Sequence, residues 1–135
     1  MIMQAEGRLF ITGNSSGLGY ALTRHYLEQD WHVYGCSRRG CEGLGGFLSD
    51  MRIDLTDFEA IPVCLDDLLG AADKLDLVIL NAGILGEIRD IAKTPLADIQ
   101  RIMDSNVWAN KVILDWLIHS GLDVTQIIMI SSGAS

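Results

Sequence analysis

Four short apolar runs punctuate the chain: Leu9-Phe10-Ile11, His32-Val33-Tyr34, Leu77-Val78-Ile79-Leu80 and Ile127-Ile128-Met129-Ile130. None alternates apolar with polar residues, as a strand with one wet face would. Each therefore reads as a strand covered on both faces of a parallel sheet. Between the runs the spacing turns helical, over about 17–29, about 56–69 and 95–120. Strand and helix in alternation predict βαβ units and an α/β, doubly wound sheet. The last helix carries the clearest end signals: Thr94 is placed to cap it, Pro95 suits its first turn, and Gly121 can end it in the left-handed conformation. Its stripe of Ile99, Ile102, Met103, Val107, Ile113, Leu114 and Leu117 predicts a core-facing side. In the middle helix Thr56 and Glu59 have capping-box spacing, yet Pro62 removes a backbone donor, which predicts a kink or a late start. Gly40, Gly43, Gly45 and Gly46 disfavour a full helix between Arg39 and Asp50. Met51-Arg52-Ile53 is left as a weaker third strand near a sheet edge. No repeat or linker interrupts the pattern, so residues 1–135 form one domain.

Composition narrows the partners more than the fold. With 49% hydrophobic and 21% charged residues in 135, the chain can bury a real core. It has 10 Lys+Arg against 18 Asp+Glu, a formal charge of −8, and the basic residues are scattered. A phosphate backbone would be repelled, which excludes nucleic acid as a partner. The start, Met1 to Arg8, has neither the basic nor the apolar region of a signal peptide, and no apolar run approaches the ~20 residues a bilayer requires. A cytoplasmic protein without a membrane partner is expected. Cys36, Cys41 and Cys64 are odd in number and lack CxxC spacing, so they read as reduced thiols rather than a disulfide or metal framework.

Chemistry is concentrated at Thr12-Gly13-Asn14-Ser15-Ser16-Gly17-Leu18-Gly19, which follows the first strand and opens the first helix. Glycines there allow a tight turn, close approach of backbone to a pyrophosphate and close helix-to-strand packing, while the helix start attracts phosphate charge. Taken alone, the glycines fit a ligand-free strand-to-helix turn equally well. Asn106 sits three and four residues after Met103 and Ile102, on the predicted core stripe, where an amide must be hydrogen-bonded. It can pair with local backbone or belong to a polar relay. His25, His32 and His119 have no acid or nucleophile spaced to partner them, and Trp31, Trp108 and Trp116 read as packing residues.

The pattern T-G-x-x-x-G-x-G resembles the cofactor fingerprint of the short-chain dehydrogenase/reductase family, and three further matches follow in that family's order. Asp54-Leu55 resembles the pair that holds the adenine. Asn81-Ala82-Gly83 resembles the N-A-G motif lining the adenosine ribose, with Leu80 where many members have another Asn. Ile130-Ser131-Ser132 resembles the segment whose second serine is catalytic. The resemblance implies a Rossmann-like parallel sheet of five strands in the order 3-2-1-4-5, truncated after the fifth. It implies cofactor contacts from Gly13, Ser15, Ser16, Gly17, Leu18, Gly19, Asp54, Leu55, Asn81, Ala82 and Gly83. It also assigns Asn106 to a water in the proton relay and Ser132 to the substrate oxygen. At the end of the second strand Ser37 stands where an NAD-specific site has a carboxylate, and Arg38 and Arg39 follow. A 2′-phosphate needs cations and no nearby carboxylate, so NADP is expected in preference to NAD.

The family's Tyr-x-x-x-Lys is not found in the 135 residues: Tyr20, Tyr26 and Tyr34 are followed four residues later by Arg24, Asp30 and Arg38. Three readings follow: the NADP-binding front part of an oxidoreductase acting on a small carbonyl or alcohol, a non-catalytic NADP-binding module, or an inactive truncated product. A homo-oligomer is expected, because the fifth strand and the last helix would otherwise leave apolar surface open.

Overall fold

The structure, a computed structural model, describes residues 5–41, 43–81 and 95–130. Strands β1 (Arg8–Thr12), β2 (His32–Ser37), β3 (Leu48–Arg52), β5 (Leu77–Leu80) and β7 (Ile127–Met129) form one five-stranded sheet. Its order is β3-β2-β1-β5-β7 and every pair is parallel. The two-residue strands β4 (Lys74–Leu75) and β6 (Asp123–Val124) pair only with each other. With them set aside, the order is the expected 3-2-1-4-5.

Burial follows the missing alternation. All of β5 is buried, and so are four of five residues in β1 and five of six in β2. The outer strands β3 and β7 are only partly covered, and Ile127 and Met129 are 42% and 55% exposed. Side chains of opposite parity feed two cores. Leu9, Ile11, Val33, Leu77 and Ile79 meet Leu22, Tyr26 and Leu27 of helix α1 (Gly17–Glu28). Phe10, Tyr34, Cys36, Val78 and Leu80 meet Ile61, Leu65 and Leu69 of α2 (Ala60–Leu69), and Ile113 and Leu117 of α4 (Ala109–Ser120). Each fully buried residue of this size contributes about 1.5–3 kcal/mol.

The helix ends correct the sequence reading in two places. Helix α2 starts at Ala60, with Glu59 as N-cap and no side-chain cap bond. Thr56 instead serves Asp54, so the capping box does not form and the late start is the outcome. Pro62 then falls in the first turn, where a missing N–H costs nothing. The long final helix is broken: α3 (Leu96–Met103) passes through a π-helical turn, Asp104–Trp108, into α4. Pro95 is the N-cap residue of α3 rather than part of its first turn, and Thr94 lies outside the described residues. The extra residue in the π turn shifts the phase of the stripe, so its front half does not reach the core. Nothing in α3 is buried, and Met103 and Val107 are 40% and 43% exposed. Gly121 ends α4 at φ 79, left-handed as expected.

Candidate functional site

Register brings the ends of four strands to one edge of the sheet. Thr12 pairs with Cys36 and with Leu80, and Ser37 pairs with Arg52. Gly13, Ser37, Asp54 and Asn81 therefore all leave the sheet together, at the carboxyl edge where doubly wound folds hold ligands.

The turn after β1 is fixed from both sides. Gly13, at φ 72, donates its N–H to the Cys36 carbonyl at 2.8 Å and accepts from Asn81 Nδ2 at 3.1 Å. The Asn81 N–H goes to Thr12 Oγ1 at 3.0 Å. Gly19 is buried beneath this turn, and a Cβ on it would lie 2.0 Å from the Gly13 carbonyl oxygen. That contact admits only glycine and draws the start of α1 against the strand. Gly17, at φ 58, faces open space, for a Cβ there would meet nothing within 4 Å. Ser16 is the N-cap residue but makes no side-chain cap bond, and Ser16, Gly17 and Leu18 are exposed while Ser15 is half-buried. Helix-start N–H groups thus point outward with no side chain competing for them. This cradle fits a pyrophosphate, which supplies acceptors and negative charge to the positive end of the helix.

At the end of β2, Ser37 is 5% exposed and its Oγ accepts the Gly40 N–H at 2.9 Å, closing a turn that presents Arg38 and Arg39 to solvent. Arg52 crosses the same turn, since a Cβ on Gly40 would meet its Nε at 2.8 Å. Asp54 is exposed, and its Oδ1 accepts both the Thr56 hydroxyl at 2.7 Å and the Thr56 N–H at 2.9 Å. Those bonds hold its carboxyl below the ordinary range, helped by the positive charges of Arg38 and of Arg101 on α3. Leu55 turns its side chain into the core.

Ala82, Gly83 and Ser132 lie outside the described residues. The backbone of Asn106 stands in the π-helical turn, where the Ala109 N–H reaches back to the Asp104 carbonyl; its side chain is outside what is described. Such turns recur at functional sites. Of the two stripe residues three and four positions before Asn106, Met103 is exposed and Ile102 half-buried. One turn on from Asn106, Asn110 is buried at 6% exposure. It was legible as a polar residue three before Ile113 on the stripe.

Three of the remaining polar and aromatic residues have structural partners. His32 stacks on Tyr34 and bonds to Ser49 Oγ, His119 Nδ1 meets the Asp115 carbonyl, and Trp116 donates to Asp66. The three cysteines are free and buried, and burial pushes the Cys36 thiol far above its ordinary pKa. Among the described residues no cluster of three or more metal-ligating side chains is present, and no helix is long and apolar enough to cross a membrane. A cleft of about 490 Å³ lies elsewhere, between the C-terminal ends of α2 and α4, lined by Asp66, Asp73, Trp116 and His119. Its lining includes none of the residues the sequence assigns to the cofactor or to catalysis.

Comparison with known proteins agrees with this geometry. The family model for short chain dehydrogenase matches residues 8–135. Serine 3-dehydrogenase of Rhizobium radiobacter is 30% identical over 108 residues, which are 76% of this chain and 43% of that enzyme. A variant of ElxO solved with NADPH bound superimposes with a TM-score of 0.78 at 20% identity, over 93% of this chain and 55% of that one. An NADH-dependent reductase complexed with NAD gives 0.71 at 21%, over 84% and 51%. The chain spans about half the length of the relatives it matches.

Proposed function

Since this chain belongs to the short chain dehydrogenase family, we propose that it is the NADP(H)-binding part of an oxidoreductase acting on a small carbonyl or alcohol. The observation that carries the reading is the cradle at the end of β1: Gly19 packed on the Gly13 carbonyl, Asn81 bracing the turn, and an uncapped helix start facing open space. Gly13 and residues 15–19 would hold the pyrophosphate, Asp54 and the Leu55 backbone the adenine, and Asn81, Ala82 and Gly83 the adenosine ribose. The bound nicotinamide supplies hydride exchange with the substrate. The fold itself serves either cofactor, since its neighbours include one solved with NADPH and one with NAD. Preference for NADP rests on Ser37, whose hydroxyl already accepts from Gly40 and brings no negative charge, and on the exposed Arg38 and Arg39 beside it.

Ser132 would polarise the substrate oxygen, and Asn106 would hold water in the proton relay. A serine hydroxyl is too weak an acid to protonate that oxygen near neutral pH. The 135 residues by themselves are therefore expected to bind cofactor without turning over aldehydes or ketones. Titration of NADPH and NADH against wild type and Arg38→Ala tests the cofactor assignment. Loss of a charge-assisted phosphate contact should weaken NADPH by ~1.5–3 kcal/mol and leave NADH nearly unchanged. Equal wild-type affinities would refute it.

A further inference from the structure

Two loops of the cofactor cradle are joined by a side chain that neither loop contains. Asn14, inside the turn after β1, is fully buried and folds down over Gly35 of β2. A Cβ on Gly35 would stand 2.0 Å from Asn14 Nδ2, so the glycine is what admits the amide. Gly35 pairs with Asp50 of β3, and Asn14 Nδ2 donates to Asp50 Oδ1 at 3.0 Å. The other carboxylate oxygen, Oδ2, accepts the Cys41 N–H at 2.8 Å. Asn14 Oδ1 has no hydrogen-bond partner among the described residues. The described bond that fixes this amide is therefore the one to Asp50.

The second loop is the one that presents Arg38 and Arg39. It leaves the sheet at Ser37, is closed by the Gly40 N–H on Ser37 Oγ, and is anchored at its far end by Cys41 on Asp50. Turns of exposed arginines and glycines order poorly without such ties. We propose that Asp50 is a positioning residue for cofactor selection: its half-buried carboxylate locks the phosphate-binding turn to the arginine turn, and so sets where Arg38 stands relative to the adenosine ribose. It acts through Asn14 and Cys41 and does not touch the cofactor. The inference rests on the proposed NADP reading, because only a 2′-phosphate makes the position of Arg38 count.

The test uses Asp50→Ala and Asp50→Asn in the intact chain, with two readouts. The first needs no cofactor: amide hydrogen exchange at Cys41, compared with core amides of β1 in the same protein. Asp50→Ala should speed exchange at Cys41 by about tenfold or more while the β1 amides follow global stability alone. The second is the ratio of NADPH to NADH affinity. It should fall about five- to tenfold in Asp50→Ala, with NADH affinity changed less than about threefold. Asp50→Asn should fall between, since the new amide can still accept from Cys41 and can pair with Asn14 if Asn14 turns over. Unchanged exchange at Cys41 overturns the bridge. Faster exchange with an unchanged ratio overturns the role in selection and leaves Asp50 structural. A wild type that binds both cofactors equally overturns the NADP reading itself, and Cys41 exchange then decides the bridge independently. If Asp50→Ala does not fold, Asp50→Asn is judged by the same two criteria.

Discussion

Replacing Gly19 by alanine puts the account of the cradle at risk with a single methyl group. The added carbon would sit 2.0 Å from the Gly13 carbonyl oxygen and 2.6 Å from Asn81 Nδ2. Backbone cannot swing away as a long side chain can, so the start of α1 must retreat by roughly 1 Å to relieve the contact. Overpacking of this kind costs about 1–3 kcal/mol. Loss of the Asn81–Gly13 hydrogen bond adds about 0.5–1.5 kcal/mol. The helix preference of alanine over glycine returns about 1 kcal/mol. The net is a destabilisation of about 0.5–3.5 kcal/mol, and because the phosphate-facing N–H groups move with the helix, cofactor affinity should drop about 10- to 100-fold. Two glycines serve as controls. Gly43 faces open space at φ 82, so its alanine variant should cost about 1–2 kcal/mol of backbone strain and leave binding alone. Gly45 faces open space without a left-handed φ, so alanine there should be neutral, or stabilising by up to about 1 kcal/mol. Urea unfolding followed by circular dichroism gives the stabilities, and NADPH fluorescence gives the affinities. Were Gly19→Ala to match Gly45→Ala in both, the close packing of α1 on the turn would be wrong.

Two further outcomes follow from the same structure. The folded-state pKa of Asp54 is depressed, so its contribution to stability is present above its unfolded value of 3.8 and is lost as pH falls through the lower folded value. Thr56→Val should raise the Asp54 titration seen by carboxyl NMR, and its stability deficit should shrink in acid; a deficit independent of pH would show that Thr56 acts otherwise. The exposed apolar side chains Ile127 and Met129 of the outer strand β7 and Ile130 just after it, with Trp108 and Ile118 on the last helical segments, should drive self-association. Sedimentation at micromolar concentration checks this, and a monodisperse monomer would contradict it.

How far the sequence could be read depended on the range of the forces involved. Buried central strands declared themselves, since parallel pairing covers both faces and abolishes alternation in Leu9-Phe10-Ile11 and in Leu77 to Leu80. The start of β3 at Leu48 was hidden, because an edge strand needs neither continuous apolar residues nor alternation. Strands β4 and β6 are two residues each, too short for any period. The π turn was invisible as well: one extra residue in a helix leaves composition unchanged but rotates everything before it, which carried Met103 and Val107 away from the core. In the site, the glycines of the first turn were legible because backbone geometry restricts them to one residue type. The Asn14–Asp50 pair was not, as its members are 36 residues apart and meet only after β1, β2 and β3 have aligned.

The central claim is that the carboxyl edge of the sheet, and not the cleft between α2 and α4, receives a dinucleotide. Amide chemical-shift mapping during NADPH titration tests this directly, because every candidate contact offers a backbone N–H. The account predicts saturable shifts at Gly13 to Gly19, Ser37 to Arg39, Asp54, Leu55 and Asn81, with Asp66, Trp116 and His119 unmoved. Shifts confined to the α2–α4 cleft, or no saturable shift at millimolar NADPH, would contradict it.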